Sequence, residues 1–254
     1  MPKTLAYIRI STNQQDLNNQ KLEILEYANK HKLEIPPEKY TQLAEYLTLL
    51  QEWNKDRVNL TAIVEPSEMV RKHLLDAMTY MPLNPKPPAR LIDVGSGGGI
   101  PGIVLAIVWP ETHVTLVESV AKKTAFLVHV AAHFSLPNVH IVSERAETLG
   151  QNKQYRAQYD MATARAVAEL RVLVEYLLPL VRIGGKVYAP KGPTPQVEVE
   201  AAKNAITTLG GHLHDIVNIN EPPLEPRTMV RIVKHRVTPG TYPRLAGTPS
   251  KKPL

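Results

Sequence analysis

The chain has 254 residues, a formal net charge of +6 and an ordinary globular composition, with no cysteine. That length can bury a full core, while the missing thiols exclude disulfides, thiolate metal ligands and a cysteine nucleophile. A reducing, cytoplasmic compartment is the expectation, because the longest apolar run, near residues 100–110, is too short for a membrane span and "MPKTLAYIRIST" lacks the apolar core of a signal peptide.

The first 35 residues open on a strand-like "TLAYIRI" and continue as a polar helical stretch, "NNQKLEILEYANKHK", which "IPPEKY" interrupts. Leu43, Leu47, Leu50 and Trp53 then recur at helical spacing and predict one amphipathic helix over residues 37–55, with proline at its first turn. "PSEMVRKHLLDAMTYM" predicts a second helix, on which His73 and Asp76 are spaced to pair. Four prolines between Pro82 and Pro88 mark a linker.

From Arg90 the pattern alternates. "LIDV", "HVTLVES", "VHIVS", "YDMATA", "KVYAP" and "RTMVRIVKH" read as strands, separated by helical stretches such as "KTAFLVHVAAHF" and "ELRVLVEYLLPLV". The Gly-Gly of "LLPLVRIGGKVYAP" reads as a turn between helix and strand. This alternation predicts an α/β domain with a mostly parallel sheet, whose ligands sit at the carboxyl ends of the strands. Trp53 and Trp109 are expected in the core. The histidines of "HLHD", His212 and His214, lie at strand spacing, but two ligands without a third do not define a metal site, so no metal is expected.

The first loop of that sheet, "DVGSGGGIPG", carries the most chemistry. A P-loop needs Gly-Lys-Ser/Thr, which is absent. A dinucleotide fingerprint fits only in a shifted register through Gly97, Gly99 and Gly102, with Pro101 inside it. The remaining pattern is Asp-x-Gly-x-Gly-x-Gly: Asp93 closes the strand, and Gly95, Gly97 and Gly99 let backbone approach a ligand without a Cβ in the way. That suits S-adenosylmethionine, whose ammonium Asp93 helps to neutralise. Glu118, ending the next strand, is placed for ribose hydroxyls, a feature shared with a dinucleotide-dependent oxidoreductase. Glu147 follows the third strand, where an adenine would lie, and Arg165 follows the fourth.

Two absences narrow the acceptor. Methylating a pyrimidine carbon needs a cysteine nucleophile. Methylating an exocyclic amine commonly uses an Asn/Asp-Pro-Pro-aromatic turn after the fourth strand, where this chain has "TARAVAEL". A ring nitrogen with a free lone pair, such as guanine N7, needs only in-line positioning. Finally, seven Lys and Arg and no acid lie between Pro226 and Leu254, a pattern that favours phosphates.

These motifs, with "LLQEWNKDRVNLTAI", "KHLLDAM", "TLVES", "ERAE", "GGKVYAPKG" and the closing "TPGTYPRLAGTPSKKPL", resemble the RsmG, or GidB, family over residues 33–254. The resemblance implies a class I, Rossmann-like methyltransferase with a seven-stranded sheet, which transfers a methyl group from S-adenosylmethionine to guanine N7 of 16S ribosomal RNA in the small subunit. It implies cofactor contacts from Gly95, Ile100, Ala146, Glu147 and Arg165, and RNA contacts from Lys122, Lys123 and Lys191. Arg244, Lys251 and Lys252 of the tail join those RNA candidates by charge, and a monomer is expected. Residues 1–32 resemble instead the start of a serine recombinase, with Ser11 beside Arg9, cut short before the arginines such an enzyme needs. A DNA-binding remnant is therefore the third reading. The expected organisation is a leader over 1–32, a helical extension with linker over 33–88, a methyltransferase domain over 89–236 and a basic tail over 237–254.

Overall fold

The computed structural model describes the backbone of residues 2–254 and side chains from residue 15 onward. The chain forms two compact units, residues 1–85 and 86–254.

The first unit is helical. Helix α1 spans Pro2–Lys30 and α2 spans Pro37–Asp56. Three short helices, α3 (Pro66–Met69), α4 (Asp76–Met78) and α5 (Tyr80–Leu83), flank a π-helical turn at Val70–Leu75. Leu43, Leu47 and Leu50 of α2 are buried, as their spacing predicts. Trp53 is only half-buried, with the Arg57 guanidinium 4.5 Å from the ring centroid. His73 is buried, and its Nε2 lies 3.0 Å from the Thr61 hydroxyl.

Two expectations for the N-terminus change. "TLAYIRI" lies inside α1 rather than forming a strand. An isolated strand leaves its backbone groups without a ladder, whereas a helix satisfies them within itself. The leader also does not end at residue 32 as a separate body, because Ile24, Tyr27 and Ala28 are buried at helical spacing within this unit and Arg71 pairs with Glu23 at 2.8 Å. The side chains of Arg9 and Ser11 lie outside the described residues.

The second unit is a seven-stranded sheet in the order β3-β2-β1-β4-β5-β7-β6. Its strands are β1 (Arg90–Val94), β2 (His113–Val117), β3 (Val139–Val142), β4 (Tyr159–Thr163), β5 (Val181–Lys191), β6 (Gly211–Ile219) and β7 (Arg227–Lys234). Strands β1 to β5 pair in parallel, and β7 runs antiparallel between β5 and β6. The helices are α6 (Gly102–Val108), α7 (Ala121–His133), α8 (Ala146–Gln151), α9 (Leu170–Leu177), α10 (Gln196–Thr208) and α11 (Thr248–Lys251). Leu170, Leu173, Val174 and Leu177 bury one face of α9 against the sheet, the i, i+3, i+4, i+7 stripe of an amphipathic helix. Trp109 is buried, as expected.

The Gly184–Gly185 pair is not a turn before a strand. It lies inside β5, where the pairing with β4 jumps from Tyr159↔Val181 to Met161↔Lys186. A Cβ on Gly185 would stand 2.6 Å from Val181 Cγ1 and 2.8 Å from the Asp160 carbonyl, so the irregular strand can pass its neighbour only with glycine there.

Candidate cofactor cleft and its C-terminal wall

The loops after β1, β2, β3 and β4 converge at one end of the sheet. Gly95, Gly97 and Gly99 all take positive φ, +70°, +54° and +89°, so the turn after β1 uses conformations that L side chains rarely adopt. It is fastened to the neighbouring strand: Gly95 N and Ser96 N donate to the Val117 carbonyl at 2.8 and 3.0 Å. Val94, Gly95, Val117, Ser119, Glu144, Arg145, Ala146, Glu147, Val167, Ala168, Tyr176 and Ser250 line the cleft that results.

Asp93 lies fully buried beneath this turn. Its Oδ2 accepts from Gly102 N at 3.0 Å, tying the strand end to the start of α6, while Oδ1 has no hydrogen-bond partner. Burial pushes its carboxyl up to about 7, against the Gly102 hydrogen bond and the Arg165 charge, which both favour the ionised form. An unpaired carboxylate oxygen under a bare glycine turn is an environment that gains from a cationic ligand group above it.

Glu118 uses both oxygens on the backbone. Oε2 accepts from Gly97 N at 3.0 Å and Oε1 from Val120 N at 2.8 Å, which fixes the carboxylate at the end of β2 with its remaining lone pairs available. Ala146 and Glu147 open α8 beside the cleft. Arg165 is half-exposed after β4, followed by Ala166 in a left-handed conformation at φ +56°. Ile100 is buried in the same β1 loop. The expected cofactor residues thus share one end of the sheet, Asp93 and Ile100 from below the surface.

The expected RNA cations divide. Lys122, Lys251 and Lys252 are exposed, and Lys123 half-exposed. Lys191 and Arg244 are half-buried and each has partners within the protein. Lys191 Nζ donates to Glu198 Oε1 at 2.6 Å and to the Ala168 carbonyl at 3.0 Å. Arg244 grips Glu175, with its NH2 at 2.6 Å from Oε2 and its Nε at 2.9 Å from Oε1.

Sequence reasoning missed what the tail does. Arg156, in the loop before β4, donates to the carbonyls of Gly150, Tyr242, Thr238 and Pro239 at 2.6 to 3.1 Å. Gln151 reaches the carbonyls of Gly240 and Pro243. Lys234, buried at the end of β7, donates to the Leu178 carbonyl and to Thr238 Oγ1, and burial lowers its pKa to about 8. Residues 238–251 therefore form a strap along α8 and α9. Proline at 239, 243 and 249 was the one local signal of a fixed path.

The family model described as rRNA small subunit methyltransferase G, GidB, matches residues 39–228. The chain belongs to that family. A protein named Ribosomal RNA small subunit methyltransferase G from Roseiflexus castenholzii is 48% identical over 232 residues, covering 91% of this chain and 99% of that one. A namesake from Acetivibrio thermocellus is 40% identical and covers 95% of this chain, which carries the family match into the first 32 residues. Among solved structures, a 16S rRNA (adenine(1408)-N(1))-methyltransferase variant from Catenulisporales acidiphilia shares the fold at TM-score 0.51 and 19% identity, over 63% of this chain and 92% of that one. The protein is an S-adenosylmethionine-dependent methyltransferase, and the oxidoreductase and recombinase readings lapse.

Proposed function

We propose that the protein transfers a methyl group from S-adenosylmethionine to N7 of a guanine in 16S ribosomal RNA. The observation that carries the reading is the cleft itself: a positive-φ glycine turn over an unpaired, buried Asp93 oxygen, with Glu118 fixed on the next strand, in a chain of the rRNA small subunit methyltransferase G family.

The residues present fit the donor. Gly95, Gly97 and Gly99 pass backbone beneath its amino-acid end, and Asp93 supplies negative charge from below. Glu118 takes the ribose hydroxyls on its free lone pairs, while Ala146 and Glu147 border the base. Bound there, the donor supplies an electrophilic sulfonium methyl. Guanine N7 carries its own lone pair, so the chain needs neither a nucleophile nor a base, only alignment. Arg165, beside the donor at the end of β4, orients the guanine through charge-assisted hydrogen bonds. The exposed Lys122, Lys251 and Lys252 and the half-exposed Lys123 meet RNA phosphates. The enzyme acts as a cytoplasmic monomer without a metal. Among the described residues no helix is long and apolar enough to cross a membrane.

Incubating small subunits lacking the modification with labelled donor, then digesting the RNA, tests the reading. A single 7-methylguanosine is expected. Label in an adenine, a cytosine or the ribosomal proteins would refute it.

A further inference from the structure

The strap contributes to the cleft as well as to packing. Ser250 stands in the same cleft lining as Gly95, Ser119, Ala146 and Tyr176 of α9, and its hydroxyl donates to the Gly247 carbonyl at 3.1 Å. Three residues earlier, Gly247 N donates to Glu147 Oε1 at 2.8 Å, so an acid expected at the base-binding edge also carries the strap. Upstream of both, Arg244 closes on Glu175, whose side chain is 0% exposed, through its guanidinium and through its own backbone N at 2.8 Å. The close approach is built in: a Cβ on Gly150 of α8 would stand 2.5 Å from Pro243 Cγ.

We propose that the C-terminal strap forms one wall of the methyl-donor site, and that Arg244 and Arg156 are positioning residues that hold this wall against α8 and α9. The inference rests on reading the cleft as the donor site. Each arginine acts at a distance: Arg156 gathers carbonyls from residues 238–242, Arg244 anchors the middle of the strap, and Gly247 and Ser250 are thereby delivered to Glu147 and Tyr176. A wall ordered before the ligand arrives spares binding the entropy of ordering it, so its loss appears in donor affinity rather than in the chemical step. Part of the tail's positive charge is then spent within the protein, on Lys234 and Arg244, while Arg236, Lys251 and Lys252 are exposed.

Two variants of the full chain test this, with calorimetric binding of S-adenosylhomocysteine, steady-state kinetics and melting temperature as readouts. Ser250→Trp leaves both arginine anchors in place and fills the wall; its dissociation constant is expected to rise at least tenfold with an unchanged unliganded melting temperature. Arg244→Ala releases the strap; KM for the donor is expected to rise about tenfold with kcat at saturating donor retained, and Arg244→Lys to recover part of the loss. If Arg244→Ala does not fold, Ser250→Trp decides. Wild-type affinity in Ser250→Trp, or a fall in kcat at constant donor KM in Arg244→Ala, overturns the inference while the cleft reading stands. Failure of the wild-type protein to bind S-adenosylhomocysteine removes the cleft reading, and the inference with it.

Discussion

The glycine turn after β1 and the strap of residues 238–251 border one cleft, yet they are built on opposite logics. The turn is local: its positive φ angles, its bond from Gly102 N to Asp93 and its link to the end of β2 follow from a run of ten residues and an adjacent strand. The strap is held by side chains about 70 to 100 positions away, Arg156 to Tyr242, Glu175 to Arg244 and Glu147 to Gly247. A motif that folds on itself carries its own signature, whereas a segment fixed by distant partners looks in sequence like a loose charged end.

The comparison breaks first if the turn tolerates side chains. Gly95 has φ +70°, and a Cβ there would lie 2.6 Å from Val167 Cγ2. Gly95→Val is expected to weaken S-adenosylhomocysteine binding by more than about a hundredfold, since backbone strain of 1–3 kcal/mol adds to the blocked approach. Calorimetry that found a loss below tenfold would show the turn to be adaptable. Arg165→Ala comes next, with turnover expected to fall about ten- to a hundredfold through misalignment while RNA affinity is nearly retained, measured by single-turnover methyl transfer and filter binding.

For the strap, the matching break is Arg156→Ala. It strands several carbonyls at once, in a loop whose arginine is partly buried, and unfolding in urea is expected to show a loss of about 2–3 kcal/mol. A variant as stable as wild type would mean that proline and packing alone fix the path.

The pH response sharpens the contrast on the side of the turn, where the buried Asp93 carboxyl lies. With Asp93 titrating at about 7 in the folded protein, the carboxylate is largely neutral at pH 6 and ionised at pH 8. A cationic donor gains from the ionised form, so affinity is expected to rise up to about tenfold between those values, with proton release on binding below pH 7. Without ligand the sign reverses: a carboxyl raised above its unfolded value contributes stability at low pH that is lost as pH climbs from about 4 through 7. Asp93→Asn should flatten both profiles. The smallest effect is electrostatic: replacing Lys122 and Lys123 with Gln should lower the salt slope of RNA binding by about one unit each, leaving donor affinity unchanged.

Much of this was legible beforehand. Short apolar runs alternating with helical stretches placed β1 to β5 and β7, and the order of acids after successive strands placed Asp93, Glu118 and Glu147 at one end of the sheet. What escaped had no local signature. Gly184–Gly185 resembles any turn until the neighbouring β4 is known to press against it. The first residues share a recombinase-like string, but Ile24, Tyr27 and Ala28 are read as core only when α2 is seen beside them. Lys191 and Arg244 are indistinguishable from solvent-facing cations until Glu198 and Glu175 are brought to them by the fold.

The anchoring by Arg156 also sets a schedule for biosynthesis. Its carbonyl partners at 238, 239 and 242 are synthesised more than eighty residues after it. Chains fold from the amino end as they emerge, so the sheet core through β5 can assemble while the strap is still untranslated. During that interval Glu147 faces no Gly247, Glu175 has no Arg244, and the edge of the cleft at Ser250 is open. A nascent chain on the ribosome thus carries the glycine turn of a methyltransferase well before it has the finished vessel for the donor.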